Sequence, residues 1–327
     1  MAALTLQPRL RLSVLARIAA LLAVSLWAQT TAGAYDTTVC GRTGYTIPSN
    51  NMTFNANAWN PDDKGFQCIS VQDSPPAFAA TWSWSSNPET VHSYPHVKLT
   101  APGLPTPLSN ISALVLSAEW SMGPGSTPRP APVVDHDGLA NHGTSANVAF
   151  DIFVDPNAAN ARSEKTAATE IMIWVGRFGH AEPLGFDASM EKTCFTQTVG
   201  DAEFVLYQGH NDRGTHVLSW VATFNHTTFA AEVSPLLQYL WRNGLVSAGS
   251  HVGLVSFGTE AYHSDGIVTF SASEFDMHLV TGAAPNLAVG DLPAECSRAA
   301  STNPPQWLLS SASIKAVVSA TLLYLIS

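Results

Sequence analysis

Charge is scarce in this chain. Of 327 residues only 12% are charged, and 15 Lys and Arg face 25 Asp and Glu, a formal net charge of −10. With no basic patch to neutralise phosphates, this balance argues against a nucleic-acid partner. It suits a secreted protein working in mildly acidic surroundings. No G-x-G-x-x-G or G-K-[ST] loop is present to cradle a phosphate, and no G-x-S-x-G elbow to carry a serine nucleophile. Eleven histidines occur, and none falls in an H-E-x-x-H spacing. His136 with His142, and His210 with Asp212, read as solvated loop residues. Cysteines number four, spaced too widely for a zinc site. No metal and no organic cofactor is therefore expected.

Long apolar runs occur at the two ends. Arg9, Arg11 and Arg17 precede the apolar stretch Ile18–Trp27 and then Ala32-Gly33-Ala34, the pattern of a secretory signal peptide over residues 1–34. The mature chain is expected to start at Tyr35. At the other end, small polar residues from Ser297 lead to an apolar tail from Ile314 to Ser327. Residues 297–327 thus read as a spacer and tail signalling a glycosylphosphatidylinositol anchor at the cell surface, the alternatives being a tail helix or an uncleaved membrane anchor. Residues 35–296 remain as one large domain. Cys40, Cys68, Cys194 and Cys296 lie within it and allow three disulfide connectivities. Cys40–Cys68 with Cys194–Cys296 is favoured, because the first closes a short loop between neighbouring N-terminal strands. Sequons at Asn51, Asn110 and Asn225 fit passage through the secretory pathway.

Helical periodicity is nearly absent. Short alternating segments rich in β-branched and aromatic residues are separated by Gly, Pro, Asn, Asp and Ser. They are Ala79–Ser85, His96–Thr100, Ser112–Trp120, Asn147–Asp155, Thr169–Val175, Ala202–Tyr207, His216–Phe224, His251–Gly258 and Gly266–Leu279. Many short strands at this spacing predict an all-β sandwich or jelly roll. Only Val233–Asn243, with Leu236, Leu237, Leu240 and Trp241, is spaced for one helix packed on a sheet. Pro124–Gly143, rich in Pro, Gly and His, reads as an inserted loop.

Chemistry concentrates on a few strand positions. In Thr169-Glu170-Ile171-Met172-Ile173-Trp174-Val175, alternation puts Glu170, Met172 and Trp174 on one face and the aliphatics on the other. A carboxylate beside an indole suits a sugar-cleaving cleft, where the ring stacks on a pyranose and the carboxylate acts at the glycosidic carbon. Glu260, in Val255-Ser256-Phe257-Gly258-Thr259-Glu260-Ala261-Tyr262, has a similar setting. Retaining glycosidases need two carboxyl groups roughly 5–5.5 Å apart, with environments that push their pKa values apart. Adjacent strands of a concave sheet would supply both conditions. Each glutamate, taken alone, is equally readable as a surface residue on a half-exposed strand. Asp151 interrupts the apolar run Asn147–Phe153 and is a candidate third carboxyl holding the nucleophile's proton state. Trp59, Trp82, Trp84, Trp120 and Trp174 suggest a row of sugar-stacking indoles, with core packing the competing account for each.

With these residues assembled, about residues 38–282 resemble glycoside hydrolase family 12, compact β-jelly-roll endo-β-1,4-glucanases that include xyloglucan-specific enzymes. Glu170–Trp174 is similar to the family's nucleophile strand, and Phe257-Gly258-Thr259-Glu260-Ala261-Tyr262 to its acid/base segment. Asn147-Val148-Ala149-Phe150-Asp151 resembles the strand carrying its assisting aspartate. Asn57-Ala58-Trp59 resembles the Asn-x-Trp flooring a negative subsite, Cys40 and Cys68 match its N-terminal disulfide, and Ser93-Tyr94-Pro95 falls in the expected order. Asn60 stands where the family usually has glycine; the Pro124–Gly143 insertion and the second cysteine pair are not general features.

The resemblance implies a two-sheet, concanavalin-like jelly roll with a concave substrate cleft and one short helix. It implies a monomeric, retaining endo-β-1,4-glucanase with Glu170 as nucleophile, Glu260 as acid/base and Asp151 assisting. Asn57, Trp59, Tyr94, Met172 and Trp174 would bind a β-1,4-linked polysaccharide. A xyloglucan-specific hydrolase and a non-hydrolytic glucan-binding or wall-remodelling protein are the alternatives.

Overall fold

A computed structural model describes residues 35–129, 131–186 and 196–284. The signal-peptide and tail expectations for residues 1–34 and 297–327, and the Cys194–Cys296 pairing, lie outside these residues. The strands in chain order are β1 Thr37–Cys40, β2 Gly44–Thr46, β3 Thr53–Asn55, β4 Phe66–Asp73, β5 Pro76–Ser83, β6 His96–Leu99, β7 Thr106–Pro107, β8 Ile111–Pro124 and β9 Ser145–Asp155. Then come β10 Thr169–Phe178, β11 Thr196–Val199, β12 Ala202–His210, β13 His216–Ala222, β14 Thr228–Glu232, β15 His251–Gly258, β16 Ala261–His263 and β17 Val268–Thr281. The α-helices are α1 His136–Asn141 and α2 Ser234–Arg242. Among the described residues no helix is long and apolar enough to cross a membrane.

Two sheets face each other. One has six strands in the order β1-β4-β5-β17-β8-β14. The other runs β11-β12-β13-β10-β9-β15-β6-β3-β2, with β16 on β9 and β7 on β15. Among the described residues every strand pairing is antiparallel except β10 with β13. This is the jelly-roll sandwich that the strand pattern predicts, and alternation explains its core. On β9 and β10, Val148, Phe150, Ile152, Ile171, Ile173 and Val175 turn inward and are fully buried. They meet Phe78, Trp82, Trp120 and Phe270 from the six-stranded sheet. Edge-on rings such as Phe54 and Phe78, 5.7 Å between centroids, fill the layer. Each ring buried there is worth about 2–3 kcal/mol of transfer free energy.

Trp82, Trp84 and Trp120 are therefore core residues and not sugar platforms, which corrects the reading of an indole row. On β5 the inward parity that buries Phe78 and Ala80 also buries Trp82. Helix α2 forms where leucine spacing placed it, with Leu236, Leu237 and Leu240 buried and Tyr239 edge-on to Trp220 at 5.4 Å. The stretch Pro124–Gly143, read as a loop, carries α1. Asp135 caps it by accepting from the Gly138 N–H at 2.9 Å and is held by Arg129 at 3.2 Å. The Cys40–Cys68 disulfide joins β1 and β4 at directly paired positions. The sequon residues Asn51, Asn110 and Asn225 are all exposed, and the Asn225 side chain accepts from the Arg177 backbone N–H at 2.9 Å.

Candidate active site

The outer face of the nine-strand path carries the polar residues that alternation removes from the core. At its centre lies β9, with β10 on one side and β15 on the other. In register, Asp151 stands opposite Met172 and opposite Ser256, while Glu170 stands opposite Phe153. Paired positions point to the same face, so Glu170, Met172, Trp174 and Asp151 share it. Strand β9 is buried along its whole length, which the ordinary polar-out pattern does not anticipate. Its outer row Asn147, Ala149, Asp151 and Phe153 is roofed by side chains and loops. Tyr94 donates to the Ala149 carbonyl at 3.2 Å, and Phe153 packs with Ala167 and Leu254.

Glu260 follows the last residues of β15, where the chain leaves the ladder. Gly258 permits the turn, because a Cβ there would sit 2.2 Å from the Pro95 carbonyl oxygen. Asn147 then fixes the glutamate from three directions. Its Oδ1 accepts from the Glu260 N–H at 2.9 Å, its N–H donates to the Glu260 carbonyl at 3.1 Å, and its Nδ2 donates to Glu260 Oε2. The Tyr262 hydroxyl donates to the same Oε2 at 3.3 Å. Sequence reasoning assigned no role to Asn147 or Tyr262. The signal was present: Asn147 interrupts an apolar strand on the parity of Asp151.

Three carboxyl groups thus converge, and burial dominates their chemistry. Burial, then the Glu260 charge, lifts Glu170 to about 8, with Arg213 pulling the other way. Burial lifts Glu260 to about 7 against the lowering effect of hydrogen bonds from Asn147 and Tyr262. Asp151, 2% exposed, is raised well above the carboxylate range by burial and then by Glu170 and Glu260. Its Oδ1 has no hydrogen-bond partner among the described residues, which favours the protonated form. A fourth acid, Glu164, meets Lys98 at 3.1 Å and His96 at 3.5 Å. Burial works to raise it, but His96 and Lys98 prevail and it stays ionised.

Because the Asn147 hydrogen bond favours ionised Glu260, its loss should raise the Glu260 pKa. Asn147→Ala is expected to move the alkaline limb of a kcat/KM pH profile upward by about 0.5–1 unit, the equivalent of one hydrogen bond. A limb unmoved within error would show that Asn147 does not tune Glu260.

The expected binding residues fall into two groups. Asn57 adopts φ +49°, a left-handed conformation asparagine tolerates, and its carbonyl accepts from the Tyr94 N–H at 3.2 Å. That contact ties the Asn57–Trp59 loop to the site. Arg42 donates to the Trp59 carbonyl at 2.7 Å, and the indole is left 49% exposed. Met172 and Trp174 are instead buried, Trp174 only 1% exposed with its N–H on the Met172 sulfur at 3.4 Å. They form the floor with Ala149, Val217, Val221 and Tyr262, and the accessible indole face is that of Trp59.

Comparison with known proteins places the chain in a family. The model of glycosyl hydrolase family 12 matches residues 50–279. A xyloglucan-specific endo-beta-1,4-glucanase A of Emericella nidulans is 28% identical over 71% of this chain and 88% of its own length. A Phytophthora nicotianae protein described as inactive glycoside hydrolase XLP1 is 27% identical over 63% of this chain and 77% of its own. The crystal structure of Trichoderma harzianum endoglucanase 3 superposes with a TM-score of 0.60 at 25% identity, covering 75% of this chain and 97% of that one. Converging carboxyls on the outer face of a jelly roll, and a family match spanning most of the domain, lead to one conclusion: the chain belongs to glycosyl hydrolase family 12 and is a glycoside hydrolase.

Proposed function

We propose that the protein is a retaining endo-β-1,4-glucanase in which Glu170 attacks the anomeric carbon and Glu260 protonates the leaving oxygen. The observation that carries this reading is the meeting of Glu170, Asp151 and Glu260 on one face, with Asn147 and Tyr262 fixing Glu260. Attack would give a covalent glycosyl-enzyme; Glu260 would then take a proton from the water that releases the sugar with its configuration retained. Neutral Asp151 has an O–H to donate to the Glu170 carboxylate. In the free protein burial raises both glutamates, Glu170 to about 8 and Glu260 to about 7. Chemistry needs Glu170 ionised and Glu260 protonated. A glycosidic oxygen accepts a hydrogen bond only from protonated Glu260, so bound substrate favours the productive form.

Reducing-sugar release from unsubstituted β-1,4-glucan, mixed-linkage β-glucan, xyloglucan and xylan tests the reading. Release from unsubstituted glucan is expected, and binding without release from any of the four would leave a non-hydrolytic glucan-binding protein. Release from xyloglucan alone would move the assignment to the activity that the Emericella nidulans relative's name carries. Trp59, with its exposed face, is the stacking platform in this reading. Trp59→Ala is expected to raise KM about tenfold while changing kcat less. An unchanged KM would remove Trp59 from the groove.

Cleavage after Ala34, secretion of a monomer and a lipid anchor attached within residues 297–327 complete the proposal. The patterns at the two termini support it. Release of activity from intact cells by a phosphatidylinositol-specific phospholipase is the expected result.

A further inference from the structure

Helix α1 and the end of β10 flank an open pocket of about 390 Å³ whose lining includes His136, Leu139, Arg177, Phe178 and His180. Its position follows from a bulge. The register of β10 on β9 shifts between Trp174 and Gly176, so Arg177 lies opposite Asn147. Unbroken alternation would have turned position 177 toward the core; the extra residue turns it to the groove face instead. Asn147 is the residue that holds Glu260, so the cavity lies along the flank of the groove that carries the acid carboxyl.

The chemistry of the lining is one-sided. His136, Arg177 and His180 all present N–H donors, and no carboxylate lines the cavity among the described residues. None of the three forms an ion pair among those residues. Asp265, close to the rim at Gly143, is engaged by His263 at 3.4 Å. The Arg177 guanidinium lies 5.9 Å over the Phe186 ring, an arrangement that orients the planar group. Phe178 and Leu139 are buried in the core and back the pocket. In a chain of net charge −10, Arg177 thus puts a positive charge at a pocket whose described lining holds no carboxylate.

We propose that this cavity is a subsite for a carboxylate-bearing sugar unit, a uronic acid carried on or within the β-1,4-glucan chain. Arg177 would pair with the carboxylate through parallel N–H donors, and His136 and His180 would donate to its hydroxyls or remaining oxygen. The proposal rests on the reading of the adjoining groove as a β-1,4-glucan cleft. It makes the stretch Pro124–Gly143, which departs from the general family pattern, a determinant of substrate choice.

Carboxymethyl cellulose and hydroxyethyl cellulose, soluble β-1,4-glucans that differ in charge, test it. The ratio of kcat/KM for the anionic polymer to that for the neutral one is expected to fall about tenfold in Arg177→Gln and severalfold in His180→Gln. Added salt should shrink the wild-type ratio toward the variant values. A ratio unchanged in both variants overturns the subsite. Calorimetric titration of the Glu170→Gln protein with a glucuronic-acid-bearing cello-oligosaccharide, beside its neutral counterpart, separates the two readings. Tighter binding of the acidic sugar that is lost in the Arg177→Gln background supports the subsite. Equal binding of both sugars sinks the subsite alone, and binding of neither, with no turnover of either polymer, sinks the glucan cleft and the subsite together.

Discussion

Glu170→Gln is expected to lower kcat on β-1,4-glucan by at least about 10⁴-fold, because no other group can take over attack on the anomeric carbon. The amide is nearly isosteric, and Glu170 lies at the edge of the groove rather than between the sheets, so the fold should persist. Glu260→Gln should fail differently. Its loss removes the proton donor, so cleavage of a sugar leaving group should fall by orders of magnitude. An aryl β-cellobioside with an acidic phenol needs no such proton, and its first step should continue at close to the wild-type rate. A burst of phenol followed by slow turnover is the expected trace, since the glycosyl-enzyme then lacks its general base. Equal loss on both substrates, in both variants, would remove the division of labour between the two glutamates. Activity of Glu170→Gln within tenfold of wild type would remove the nucleophile itself.

How much of this was legible in the sequence depends on parity. Wherever one face of a strand is uniformly apolar, as in Ile171, Ile173 and Val175, the strand and its buried side could be read directly. Strand β4 escaped because Gln67 lies on its inward face, leaving only Ile69 and Val71 to mark the alternation. Tryptophan misled for the opposite reason: its size makes it a good core residue and a good sugar platform, and only the partner sheet decides which. Trp82 met that sheet, whereas Trp59 sits on a loop that points away from it. The placement of Arg177 could not have been read at all. A single bulged residue reverses the face of everything after it, and nothing in Trp174-Val175-Gly176-Arg177 announces the bulge except a glycine. The helix α1 had a local signal in Asp135, but a six-residue helix is too short for periodicity to register.

The same carboxyl groups that perform the chemistry should cost stability, and the sign is testable. Glu170 and Glu260 are raised from 4.5 to about 8 and about 7. A carboxyl whose folded pKa exceeds its unfolded value binds more protons in the native state between those two values, so stability falls as pH rises. The favourable contribution is complete below about pH 4.5 and is lost as pH climbs through 7 and 8. Asp151, also raised, adds to the loss in the same direction. Both glutamates keep an edge toward solvent in the groove, so the full electrostatic cost is screened to about 2 kcal/mol between pH 5 and 8. In a domain of this size that corresponds to a fall in Tm of roughly 4–8 °C. Glu170→Gln should flatten the decline and melt above wild type at pH 8, although it is inactive. Burial that lifts a carboxyl far enough to carry a proton near neutrality is also burial that opposes its ionised form, so the inactive variant should be the more stable one. A Tm that rises with pH across this window, or a variant no more stable than wild type at pH 8, would mean that the groove hydrates these carboxyls well enough to leave them near ordinary values.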